Sequence, residues 1–240
     1  MTEAYYYEDV YTRSISAVVT GVFNDSVTFD RTIFYPLGGG QPGDQGFLNI
    51  GDDQIMISDT RRDPKTREIL HFFAAPPEQR SLLAPGARVQ LELDWSRRFR
   101  HMQMHTAMHL LGALIDAPVT GGQVGRDKSR LDFDVGDLAL DKSALTLQIN
   151  ALREQSVSLE FETVSERVLD AQPDLIRTMS VKPPRGVGDV RMVRIPGIDY
   201  QPCGGTHVSK LEEIQPLMIS KIENKGRQNR RVHLTFEERE

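Results

Sequence analysis

His105 and His109 stand four residues apart in a stretch whose apolar residues recur at helical spacing, and His101 stands four residues before them. Side chains at i and i+4 leave a helix from one face, a turn apart, so two such imidazoles can reach one point. Far downstream, Cys203 and His207 are also four apart, but Gly204-Gly205 between them favours a loop. Three imidazoles and one thiolate form the donor set that suits a tetrahedral Zn²⁺. Spacing alone lets either His101 with His105 or His105 with His109 be the helical pair. Cys203 is the single cysteine, and it also qualifies as a nucleophile activated by His207. A thiolate among three histidines more often binds metal.

The same residues argue against two zinc chemistries. A zinc peptidase places a glutamate base directly after the first histidine, where this chain has Thr106. A nucleobase deaminase needs Cys-x-x-Cys, which one cysteine cannot supply.

The helix that carries the histidines takes Asp94 or Ser96 as its N-cap. It continues through Phe99, Met102, Met108, Leu111, Leu114 and Ile115 and stops at Pro118. Before it the pattern is strand-like. Residues 14–29 predict a hairpin turned at Asn24-Asp25-Ser26, and strands follow at 47–50, 54–58, 69–74 and 89–94, with loops at 61–64 and 75–77. Between the hairpin and the later strands lie five glycines in nine residues, Gly38 to Gly46, which demand positive φ or close backbone approach. After the helix, strands are predicted at 130–135, 159–164, 190–195, 218–223 and 231–236, with a loop across 196–206. One helix is capped by Asp141, and another spans 165–171 and ends at Pro173. The fold class is α+β: a small β-barrel-like domain over 1–94, then a domain over 95–240 of antiparallel sheet with packed helices. Tyr5-Tyr6-Tyr7 has no evident role beyond packing a β edge.

Of 240 residues, 39% are hydrophobic and 26% charged, which is ordinary for a soluble globular protein. No apolar run is long enough to span a bilayer, and the acidic, aromatic start is unlike a secretory leader, so the cytoplasm is the expected location and no membrane partner is expected. A net charge of −5 argues against a wide basic surface for nucleic acid, and no DNA partner is expected. Residues 220–231 are a local exception: Lys221, Lys225, Arg227, Arg230 and Arg231 against Glu223 give 5 − 1 = +4. Arg97, Arg98 and Arg100 form a second cluster. Each run reads as a solvated face or as a phosphate contact.

His105-Thr106-Ala107-Met108-His109-Leu110-Leu111 and Cys203-Gly204-Gly205-Thr206-His207-Val208 resemble the HxxxH and CxxxH zinc motifs of the alanyl-tRNA synthetase editing domain and its free-standing AlaX relatives. Phe34-Tyr35-Pro36 with Gly39-Gly40-Gln41-Pro42-Gly43-Asp44 resembles that family's glycine-rich motif, and Lys221 to Arg231 is similar to its C-terminal segment. The resemblance spans about residues 14–236, with four motifs in family order. It implies a trans-acting hydrolase, since no synthetase activation domain is seen. The substrate would be tRNA(Ala) wrongly charged with serine, in some cases glycine, and the bond cut would be the aminoacyl ester. It implies one Zn²⁺ on His105, His109, Cys203 and His207, with His101 outside the motif. The mischarged acceptor end would be gripped through Lys221, Lys225, Arg227, Arg230 and Arg231.

Serine exceeds alanine by one hydroxyl, so a site that spares alanine should hold a group left unpaired when that hydroxyl is missing. Thr32, then Gln41, are the candidates beside the glycine-rich loop. Backbone N–H groups of Gly39, Gly40 and Gly204, with their glycine neighbours, could stabilise a developing oxyanion. The zinc would activate water if a coordination position stays open, or position substrate if all four protein ligands stay bound. The competing readings are a threonyl-type editing enzyme and a non-catalytic zinc-stabilised RNA-binding module.

Overall fold

Apolar residues at every second position build the N-terminal part as strands, and the computed structural model describes residues 2–171 and 188–237 of the chain. Two compact units result, Met1–Phe99 and Arg100–Glu240. In the first unit, β1 (Glu3–Ala4), β2 (Ser14–Val22), β3 (Ser26–Phe29), β4 (Arg31–Thr32), β5 (Gly46–Ile50), β6 (Asp53–Arg62), β7 (Ile69–Phe73) and β8 (Arg88–Leu93) follow one another. Six of them close a barrel in the order β2-β3-β7-β6-β5-β8, every pairing antiparallel. Its interior is filled by inward residues such as Val19, Val27, Phe29, Leu48, Ile57, Val89 and Leu91. Closure removes the open sheet edges.

The structure lengthens or adds to several expected elements. β6 runs on through Arg61 and Arg62, which the sequence places in a loop. A four-residue helix α1 (Pro77–Arg80) occupies what reads as a loop, with proline at its start. The tyrosines form a short 3-10 helix rather than a β edge: Tyr6 is buried edge-on against Tyr35, and Arg62 donates to its hydroxyl at 3.2 Å.

The glycine-rich loop is held by two kinds of glycine. Gly39 and Gly40 take φ of 57° and 81° between the reciprocal bonds Gly38 N–H to Gln41 O (3.1 Å) and Gln41 N–H to Gly38 O (2.9 Å). That is a tight turn of the mirror-image class that needs positive φ at both centres. Gly43 and Gly46 serve close approach instead, since a Cβ would fall 2.0 Å from Thr60 O and 2.1 Å from Glu92 O.

Helix α2 (Trp95–Leu114) is capped by Asp94, whose Oδ1 accepts from Arg97 N at 3.0 Å, and the division between units falls within it. Its first turn corrects one expectation. Arg98 is not a surface cation: it is buried, donates Nε–H to Asp44 Oδ2 at 2.8 Å and bonds Ile33 O at 2.6 Å. Asp44 Oδ2 also accepts from Tyr35 N, so the pair staples the glycine-rich loop to the helix start. Arg97 donates to Gly43 O and Arg100 pairs with Asp127.

In the second unit, β9 (Val119–Gln123), β10 (Lys128–Asp134), α3 (Lys142–Arg153), β11 (Glu160–Ser165), α4 (Glu166–Ala171), β12 (Asp189–Ile195), β13 (Asp199–Pro202), β14 (Leu217–Asn224) and β15 (Asn229–Phe236) complete the α+β fold. A four-stranded sheet has the order β14-β15-β10-β9, and a three-stranded sheet the order β11-β12-β13. Asp141 caps α3 by accepting from Ala144 N at 2.6 Å, as its sequence predicts. Helix α3 also covers the edge strand β14, because Asn150 both donates to Leu217 O and accepts from Leu217 N. The expected stop of α4 at Pro173 lies outside the described residues. β9 escapes the sequence because Gly121-Gly122 looks like a turn, yet a Cβ on Gly122 would meet Leu131 and Met108 within 3.3 Å. β13 lies inside the stretch expected to be a loop, and it carries a residue that matters to the site.

Candidate metal centre

Helix α2 brings His105 and His109 to one face, and the loop after β13 returns Cys203 and His207 to the same place. One ligand atom from each of the four lies within 4.8 Å of every other. Cys203 Sγ is 3.5 Å from His105 Nε2 and 3.3 Å from His207 Nε2. The imidazoles stand around it, with ring centroids 5.5 Å (His105–His109), 4.4 Å (His105–His207) and 4.7 Å (His109–His207) apart. His101, the rival for the helical pair, is buried but outside this group.

Hydrogen bonds behind two rings fix which nitrogen points inward. His109 Nδ1 lies 2.8 Å from Asp199 Oδ2. A carboxylate only accepts, so Nδ1 carries the proton and Nε2 faces the other ligands. The Thr106 hydroxyl donates to Met102 O at 2.9 Å, the bond a threonine in a helix makes to the preceding turn. Its proton being spent, its oxygen accepts from Val208 N at 3.3 Å and from His207 Nδ1 at 3.1 Å. His207 therefore also turns Nε2 inward. Thr106, which stands where a zinc peptidase has its glutamate, thus has its own task. Imidazoles that bind metals are usually oriented in this way.

The electrostatics call for a cation at the same point. Burial pushes the Cys203 thiol up, but the His105 and His207 charges outweigh it and hold the thiol well below its usual range. Burial pushes His109 down, yet the Asp199 carboxylate and the Cys203 thiolate raise it to about 10. His207 is held well below its ordinary value by burial and by His105. A thiolate and a carboxylate enclosed with three imidazoles gain from a central positive ion, which would take the place of the proton that Asp199 and Cys203 draw onto His109, so the residues fit a metal.

Two family descriptions match the chain: residues 4–97 match tRNA synthetases class II (A), and residues 190–233, which contain Cys203 and His207, match the threonyl and alanyl tRNA synthetase second additional domain. The alanyl-tRNA editing protein AlaX-M of Methanosarcina acetivorans is 36% identical over 98% of this chain and 99% of its own length. The chain belongs to the AlaX family of alanyl-tRNA editing proteins. The AlaX-M protein of Saccharolobus solfataricus is 33% identical over 98% of the chain and 99% of its own length. The mouse alanyl-tRNA editing protein Aarsd1 is 34% identical over 85% of the chain, which corresponds to 47% of that protein.

Against this family background, the other expected site residues divide between the two units. Thr32 and Gln41 are buried in the first. His71 Nδ1 faces Val27 O at 3.2 Å and so donates there; its Nε2 then accepts the Thr32 hydroxyl proton at 2.8 Å, while Phe34 N donates to Thr32 Oγ1 at 3.0 Å. One acceptor lone pair is left on Thr32. Gly38 spends its N–H on the turn, whereas the N–H groups of Gly39 and Gly40 have no partner among the described residues. In the second unit Gly205 N–H points to Cys203 Sγ at 3.4 Å.

The basic segment is less bare than its sequence. Lys221 and Lys225 both pair with Glu223, and Arg231 makes a two-pronged bond to Asp132 at 2.7 and 2.8 Å. Arg230 donates to Gly226 O and Asn229 O. Arg227, in the turn between β14 and β15, has no ion pair among the described residues. Sequence reading missed Asp199 and Arg191. Arg191 donates to the carbonyls of Cys203 (2.9 Å) and Gly205 (3.0 Å), fixing the loop that carries the ligands.

Proposed function

We propose that the protein is a trans-editing deacylase of mischarged tRNA(Ala), chiefly Ser-tRNA(Ala) and also Gly-tRNA(Ala), acting in the cytoplasm. The observation that carries this reading is the cluster His105, His109, Cys203 and His207, oriented from behind by Asp199 and Thr106, in a member of the AlaX family. The acceptor end of the tRNA is the part of the substrate that this site must receive.

Zinc is the metal that suits one thiolate and three imidazoles; held by His105, His109, Cys203 and His207 it would supply a positive charge, to position the ester if all four stay bound or to activate water if one position opens. The chain's own groups bind and orient the substrate. Gly39 and Gly40 are the proposed backbone N–H donors to the developing oxyanion. Thr32, with its proton committed to His71, offers an acceptor to the serine hydroxyl, and Gln41 is the next candidate. Lys221, Lys225, Arg227, Arg230 and Arg231 meet the phosphates. The test compares kcat/KM on Ser-, Gly- and Ala-tRNA(Ala) for the wild type and Thr32→Val. The variant should narrow the serine-to-alanine ratio, and an unchanged ratio would remove Thr32 from this role.

A further inference from the structure

Phe161 lies on β11 as a large apolar side chain that is 41% exposed, and its ring centroid is only 6.4 Å from that of the ligand His207. That exposure leaves ring surface available to a ligand beside the four-residue cluster. The Arg191 guanidinium sits 4.6 Å from the same ring, while its NH1 holds the carbonyls of Cys203 and Gly205. Strand pairing secures this arrangement: Phe161 opposes Val193 and Thr163 opposes Arg191 in the β11–β12 ladder, and Cys203 N bonds Arg191 O at 3.1 Å. The ring is thus tied in register to the loop that carries two of the four ligands.

The aminoacyl ester of a charged tRNA hangs on the ribose of the terminal nucleotide, so the base of that nucleotide lies one sugar away from the bond to be cut. A group that grips this base must stand about one sugar from the metal centre, and Phe161 does. We propose that Phe161, backed by Arg191, is the stacking platform for the 3′-terminal adenine of the tRNA. Aromatic rings and guanidinium planes are the usual platforms for unpaired bases, and they serve any base by its π face. Phe161 is a binding residue here and takes no part in proton transfer. The proposal rests on the deacylase reading only for the identity of the ester.

The experiment uses two serylated minihelices with the tRNA(Ala) acceptor stem, one ending in adenosine and one ending in an abasic ribose. Wild type, Phe161→Ala and Phe161→Trp are compared in kcat/KM, with zinc content measured on each. Phe161→Ala should lose about 5- to 150-fold on the adenosine substrate, little on the abasic one, and Phe161→Trp should retain activity. Equal loss on both substrates, or no loss on either, overturns the proposal. Calorimetry with the uncharged minihelices provides a readout independent of turnover. If the wild type fails to deacylate, the functional reading fails by itself. Preference for the adenosine end that disappears in Phe161→Ala would still support the platform, and absence of that preference would refute it.

Discussion

Removing the Asp199 carboxylate should weaken metal binding without removing a ligand. Asp199 is buried, its Oδ2 accepts from His109 Nδ1 at 2.8 Å, and Gln201 Nε2 donates to the same oxygen at 2.9 Å. It fixes the His109 tautomer and makes the ring more basic. A hydrogen bond to an ionised group contributes about 1.5–3 kcal/mol, which corresponds to roughly 10- to 100-fold in metal affinity, the range usual for groups behind metal ligands. Asp199→Asn keeps the shape and an accepting oxygen but loses the charge, so it should lie at the lower end of that range. Asp199→Ala should lie at the upper end. The assay is competition for Zn²⁺ against a chromophoric chelator at fixed pH. Excess zinc should restore the metal content of both variants. Affinity equal to wild type in Asp199→Ala would show that His109 is not oriented through Asp199.

Two further outcomes are expected. Burial holds His71 at about 4, against the pull of its bond to Val27, and its ordinary value is 6.5. Above pH 6.5 it is neutral folded and unfolded; as pH falls toward 4 only the unfolded chain takes the proton, so stability drops by about 3 kcal/mol in that window. Denaturant unfolding at pH 7 and 4.5 should show His71→Gln less stable at neutral pH but with a shallower acid slope; an equal slope would contradict the assignment. In the basic segment, Arg227→Ala should reduce the salt dependence of tRNA binding by about one phosphate's worth and leave unfolding unchanged. Arg231→Ala should also lower stability, because Asp132 loses a two-pronged partner; identical effects of the two variants would refute this division.

The parts legible in the sequence are those with local signals. The α2 helix has its period and its Asp94 cap, and the barrel strands have their alternation. The CxxxH segment is marked by residue types rare together. What escaped depends on residues far apart in the chain. Asp199 meets His109 across 90 positions, and nothing around Asp199-Tyr200-Gln201-Pro202 announces a four-residue strand. Arg98 looked like one of three surface cations because its partner Asp44 lies 54 residues earlier. The +4 segment overstated its free charge for the same reason: Asp132, on another strand, neutralises Arg231. Spacing on α2 allowed two helical pairs, and only the position of Cys203 and His207 against the helix selects His105 with His109.

The four-ligand centre is proposed to support hydrolysis of a mischarged alanine tRNA. The most direct test is deacylation of Ser-tRNA(Ala) by the purified protein as isolated, after removal of metal by a chelator, and after zinc is returned. Rapid loss of the seryl ester, abolished by the chelator and restored by zinc while Ala-tRNA(Ala) is spared, is the expected result. Hydrolysis that persists with no metal bound, or its absence with zinc fully bound, would contradict the account.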